Sequence, residues 1–229
     1  MNIKKIFTKI LFGAERNTMH QTEIINTGYS GRVVAKVISS YDSKEMYHCS
    51  ADEMPGTCPF CHYTVEKVPN LEYKNNYEKD IYTTYDGFII VSEKFKRFCE
   101  MQNFNDLTFI KLTKSPGHYY FMPTTFFSID TEHTIIKHEG AQCPRCGGYP
   151  WVGTGGHRIF SKYSLALAEQ QNFIQRLSGF YGDKNRKFPI IVIGLKTARL
   201  LEDYGIKAPE DYCLDDVLFF EDKKPTELA

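Results

Sequence analysis

The chain carries no net charge. Its 28 lysines and arginines are matched by 28 aspartates and glutamates over 229 residues, so no overall field draws it onto DNA, RNA or an anionic bilayer. It also lacks a long apolar run, and nothing in it reaches the roughly eighteen consecutive apolar residues of a membrane-spanning helix. The lysine and hydroxyl pattern of a P-loop and the glycine spacing of a dinucleotide fingerprint are missing. Paired carboxylates and a Ser-His-Asp signature are missing too, which favours a protein that is not an enzyme. What remains is a length that can bury a real core, as one large domain or two small ones. Aromatic rings are plentiful, with 17 Phe and 15 Tyr, and such rings suit cores and protein interfaces alike.

Cysteine carries the one sharp chemical signal. Four of the seven fall in two pairs, Cys58 with Cys61 in "CPFC" and Cys143 with Cys146 in "CPRC". An odd total with CxxC pairing suits metal thiolates in a reducing, cytoplasmic setting better than a secreted disulfide framework. A CxxC turn bends the chain back on itself and presents two sulfurs to one ion, so two turns fill the tetrahedron that zinc prefers. Cys58, Cys61, Cys143 and Cys146 are therefore the expected ligands of a structural zinc. Four thiolates would close its coordination sphere and leave no position for a reactive water. Gly147 provides the flexible backbone position after the second cysteine, whereas His62 stands at that place in the first pair. His48, Cys49 or His62 could replace one of the four. A redox role needs a βαβ context that neither pair has.

The 81 residues from 62 to 142 separate the two pairs, far more than the 15 to 20 of a compact zinc ribbon. One site split by an insertion at about 79 to 128 is the expectation. Within it, Phe88 to Val91 reads as a buried strand, Ser92 as a helix cap, Phe95, Phe98, Cys99 and Met101 or Gln102 as a helical face, and Leu107 to Leu112 as a second strand. A similar unit spans 188 to 222. A shift of 102 places Ile191 on Ile89, Lys196 on Lys94, Arg199 on Arg97, Glu202 on Glu100, and Gly194 on Ser92. Those matches fit a duplicated unit and equally fit chance patterning.

Elsewhere, residues 30 to 41 read as a strand, and 69 to 86 as a polar, tyrosine-rich connection. Residues 159 to 182 hold the longest helical pattern, with Leu165, Ala168, Phe173, Ile174 and Leu177 on its buried face and Gly179 and Gly182 ending it. The start of the chain places Ile3, Ile6, Phe7, Ile10 and Leu11 on one helical face, and Thr8 and Lys9 break the run before it reaches signal-peptide length. That helix packs on the protein or lies on a membrane surface. The fold class is α+β, with a zinc-knuckle region over 1 to 160 and a C-terminal helix and strand-helix-strand unit over 161 to 229 packed on it.

The remaining candidates are weaker. The glycines of 147 to 160 read as a turn away from the second knuckle rather than a phosphate loop, and Trp151 as a cover for the metal site. His118, His133 and His138 have no ligand spacing, and Cys99 falls in a core pattern. Residues 200 to 229 hold nine acidic against three basic side chains, a local charge of −6, either a solvated face or a surface for a basic partner.

"CPFC" and "CPRCGG", with the segment "GFIIVSEKFKRFCEMQNFNDLTFIKL" and "YYFMP" between them, resemble the double-CXXCG motif proteins of bacteria and the core of immunity proteins from bacterial polymorphic-toxin systems. The resemblance covers about residues 55 to 160, and Cys61 followed by His62 departs from its double-glycine form. It implies a small cytoplasmic protein that binds and neutralises a cognate toxin, with zinc as scaffold and no turnover. The alternatives are a zinc-ribbon nucleic-acid binder using Arg145, Lys162 and the "DKNRK" stretch at 183 to 187, and an enzyme using the glycine-rich loop and His157.

Overall fold

The computed structural model describes residues 31–40, 44–75, 78–129, 136–154, 171–208 and 213–220. These belong almost entirely to one compact unit, Val33–Leu218; the other unit is made of Met1–Arg32 and Phe219–Ala229. The expected N-terminal helix, Leu165, Ala168, His133, His157 and Lys162 lie outside the described residues.

Strands β1 (Gly31–Ser39), β2 (Ile81–Thr83), β3 (Ile89–Ser92), β4 (Leu107–Lys111), β5 (His118–Pro123), β6 (Phe126–Phe127), β7 (Ile136–Glu139), β8 (Trp151–Thr154), β9 (Ile174–Leu177), β10 (Tyr181–Asp183), β11 (Arg186–Phe188), β12 (Ile191–Gly194) and β13 (Cys213–Phe220) surround helices α1 (Glu93–Met101) and α2 (Leu195–Asp203). The architecture is α+β, with three sheets ordered β2-β3-β5-β4, β13-β1-β12-β9-β6 and β11-β10-β8-β7. Among the described residues no helix is long and apolar enough to cross a membrane.

The run Phe88 to Val91 is apolar throughout because its strand is covered on both faces, so alternation is lost. Ile89 and Val91 join a cluster with Phe95, Phe98 and Cys99 of α1. Phe88 and Ile90 join Met46, Met54, Tyr73, Tyr82 and Tyr120 on the opposite face. Strand β5 pairs antiparallel with both β3 and β4, which makes β3 and β4 parallel across it, as a helical crossover requires. Ser92 caps α1 as expected, its hydroxyl accepting from the Phe95 amide at 3.1 Å. Met101 is exposed, and the buried face is Phe95, Phe98 and Cys99.

The second strand-helix-strand segment repeats the first. β12 and α2 coincide with β3 and α1 under the shift of 102, and β1 lies between β12 and β13 as β5 lies between β3 and β4. The helix ends match bond for bond. Gln102, Asn103 and Phe104 amides donate to Phe98, Glu100 and Cys99 carbonyls, and Tyr204, Gly205 and Ile206 amides donate to Leu200, Glu202 and Leu201. The two strand-helix-strand segments share one core, which holds Phe95, Phe98, Leu201, Ile206 and an inner face of the β2-β3-β5-β4 and β13-β1-β12-β9-β6 sheets. Phe98 and Tyr204 rings meet at 5.6 Å, and the Lys94 ammonium donates to the Gly205 carbonyl at 2.6 Å.

Two expectations are corrected. Over 171 to 182 the described chain is not helical: Ile174 and Leu177 are buried in β9, and β10 begins at Tyr181. Gly179 and Gly182 therefore serve the connection of two strands and the second strand itself. Within 69 to 86, expected as a connection, Ile81–Thr83 forms β2 and pairs antiparallel with β3; three residues are too few for a periodic signal.

Candidate metal centre

Each CxxC turn is built by the same backbone bonds. The Cys58 amide donates to Tyr63 O and the His62 amide to Cys58 O, at 2.9 and 2.8 Å; the Cys143 amide donates to Gly148 O and the Gly147 amide to Cys143 O, at 2.8 and 2.9 Å. Pro59 and Pro144 preset φ just after the first cysteine. Gly147 turns at φ +70, and His62 adopts the same left-handed conformation at φ +59. The histidine thus takes the glycine's place at some steric cost, and its Nδ1 is buried without a hydrogen-bond partner.

The third sheet brings the turns together. The second turn lies in the connection of β7 to β8, which pair antiparallel. Lys184, in the β10–β11 turn, accepts from the Thr64 amide at 3.1 Å and donates to Pro150 O at 2.5 Å. One residue therefore ties down the exits of both cysteine turns. At their tips, the Arg145 guanidinium lies 5.5 Å from the centre of the Phe60 ring.

The result is a cluster of Cys58, Cys61, Cys143 and Cys146 whose sulfurs all lie within 4.8 Å of one another. Cys61 and Cys146 sulfurs stand 3.6 Å apart, far beyond the roughly 2.05 Å of a disulfide. A tetrahedral ion with metal–sulfur bonds of about 2.3 Å needs sulfurs about 3.8 Å apart, so the donor set fits a metal. Among the described residues His48, Cys49 and His62 are not members of this cluster, and His48 and Cys49 are exposed.

The four thiols differ in their surroundings. Backbone amides of Cys146 and Arg145 hold Cys143 down to about 6, and those of Phe60 and Cys61 lower Cys58. Loss of solvation at the sulfur pushes Cys61 up to about 12 and raises Cys146, each with one backbone amide, of Tyr63 and Gly148, working against it. The Gly148 amide stands 3.4 Å from the Cys146 sulfur. Lys187 of β11 is buried beside these two thiols, and burial lowers its ammonium while Cys146 and Cys61 oppose the shift. In the sequence Lys187 belongs only to the basic stretch at 183 to 187 that a nucleic-acid binder could use if it shared a face with Arg145 and Lys162, and no periodic signal in so short a strand marks it as inward.

The other candidates have local roles. Trp151 lies against Gly153 of its own strand, within 2.2 Å of where a Cβ would stand; the ring beside the sulfurs is Tyr63. Gly147 and Gly148 lead into β8, not into a helix N-terminus that would cradle phosphate. His118 contacts Pro116 O, and His138 packs on Tyr149 with ring centres 4.4 Å apart. Cys99 is fully buried and its thiol is raised by desolvation, as befits an unreactive core residue. Comparison with known proteins finds no matching family model and no matching curated protein.

Proposed function

We propose that the chain is a non-enzymatic, cytoplasmic immunity-type protein that binds and neutralises a cognate protein toxin, and that Cys58, Cys61, Cys143 and Cys146 hold a structural zinc. The four-sulfur cluster carries this reading. Four thiolates saturate a tetrahedral ion, so the ion's work is to join two distant parts of the chain. In this reading the pairs are the two halves of one knuckle site, and residues 79 to 128 are an insertion held at its base.

Function then falls to the surface. Exposed Phe60, Tyr85 and Phe126 each lie under an arginine, Arg145, Arg186 and Arg176 respectively, and aromatic and arginine side chains are the residues that dominate binding hot spots. The acidic stretch from 200 onward suits electrostatic steering of a basic toxin. The zinc-ribbon nucleic-acid reading is less well supported, because in the 183 to 187 stretch Lys187 is buried and Arg186 pairs with Glu45 at 2.9 Å.

Tagged protein purified from its native host at moderate salt should carry one stoichiometric protein partner and about one zinc per chain. Cys143→Ser should lose the zinc and lower stability by roughly 4 kcal/mol, the scale of closing so long a loop. Nucleic acid released by salt, with no protein partner, would overturn the immunity reading.

A further inference from the structure

The two edges of the sulfur cluster differ in exposure. Cys58 and Cys143 are the buried pair of the cluster. Cys61 and Cys146 are the more exposed pair, and the Gly148 amide stands 3.4 Å from the Cys146 sulfur. A divalent ion bound by four thiolates leaves a net charge of about −2. Lys187 reaches the side of the cluster where the Tyr63 ring and the Cys146 sulfur both stand against Gly148. Its ammonium donates to the carbonyl of Tyr149, the residue after Gly148, lies 5.3 Å from the centre of the Tyr63 ring, and acts electrostatically on Cys146 and Cys61. The residue is only 3% exposed. A charge so far out of water needs compensating partners, and beside the carbonyl and the ring these are the Cys146 and Cys61 thiols and the Asp183 carboxylate.

Resting on the reading that the four cysteines bind a metal, we infer that Lys187 is the positioning counter-charge of the metal centre, holding the Cys61 and Cys146 thiolates on the ion. Groups in this outer layer set metal affinity by about 10- to 100-fold without touching the metal. Lys187 acts through the thiolates and through Tyr149, whose carbonyl fixes its ammonium beside the second turn.

The test is competition between the full chain and a chelator of known affinity for zinc, repeated with cobalt, whose thiolate charge-transfer absorption reports on the sulfurs. Lys187→Gln preserves a donor for the Tyr149 carbonyl and removes the charge; Lys187→Met removes both; Lys187→Arg restores the charge. All are compared at equal helix and sheet content, and saturation should reach the same stoichiometry in each. Gln and Met variants should bind at least about tenfold more weakly than the parent, with a shifted cobalt band, and Arg should recover most of the loss. Gln and Met variants that bind as tightly as the parent would overturn the inference and leave the metal site standing. A parent that takes up neither metal would sink the metal reading itself, and the inference with it. If Met fails to fold, Gln against Arg still decides, since they differ in charge and both can reach the carbonyl.

Discussion

The first strand-helix-strand unit starts its helix on its own serine, whereas the second starts on a carbonyl from another segment. Ser92 accepts the Phe95 amide through its hydroxyl. At the equivalent place Gly194 has no side chain, and Gln171 O accepts the Lys196 and Thr197 amides at 2.9 and 3.2 Å. The same open amides are satisfied by different atoms. Glycine is required in the second case because a Cβ there would stand 2.1 Å from that carbonyl. Two units of equal geometry thus need different residues at one position, and a substitution harmless in one should be costly in the other.

The largest expected contrast lies in the shared core. Phe98 is 1% exposed, whereas Leu200, its counterpart under the shift of 102, is only half-buried. Phe98→Ala should cost about 4 kcal/mol and Leu200→Ala about 2, read from denaturant midpoints at unchanged m. Equal losses would mean that the units do not divide the core in this way.

The caps come next. Gly194→Ala should cost about 3 kcal/mol by steric collision, while Ser92→Ala should cost about 1 through loss of a single cap bond. A mild Gly194→Ala would show that Gln171 yields easily.

The base of the first unit differs from the second in its charge. Phe88, where the second unit has Ile190, lies 4.6 Å from the Lys67 ammonium, which donates to Asp86 O. Burial brings Lys67 down to about 7, and the Asp86 carboxylate, itself held by the Met46 and Tyr47 amides, opposes the shift. Between pH 7 and the ordinary lysine range near 10.5, the folded chain has released a proton that the unfolded chain still holds. Stability from this group therefore rises with pH across that window and is flat below it. Urea midpoints from pH 6 to 10 should show the rise, and Lys67→Met should flatten it; a variant with the parent's profile would assign the effect elsewhere.

The smallest effect belongs to the two cysteine turns. His62→Gly should stabilise the protein by up to about 1 kcal/mol by relieving the left-handed histidine, with metal uptake unchanged. A loss of stability would give the imidazole a packing role.

Much of the first unit was legible because its signals are local. A serine three residues before the amide it caps and apolar positions at helical spacing need no knowledge of the rest of the chain. The failure at 171 to 182 has a physical cause. Ile174 and Leu177 stand three apart, which mimics one face of a helix; in β9 they lie on opposite faces, and both faces are covered. A doubly covered strand and a helical stripe then look alike in sequence.

By itself the sequence determined which side chains could gather around an ion, because the CxxC turns form from bonds within six residues. It also determined the paired helix ends, which are equally local. Only the tertiary structure decided that the two turns meet, that Lys184 fastens both, that His62 can stand in for glycine, and that Lys187 is buried against Tyr63 and Tyr149. Those outcomes depend on contacts between segments tens of residues apart, where burial and pairing outweigh what any short stretch prefers.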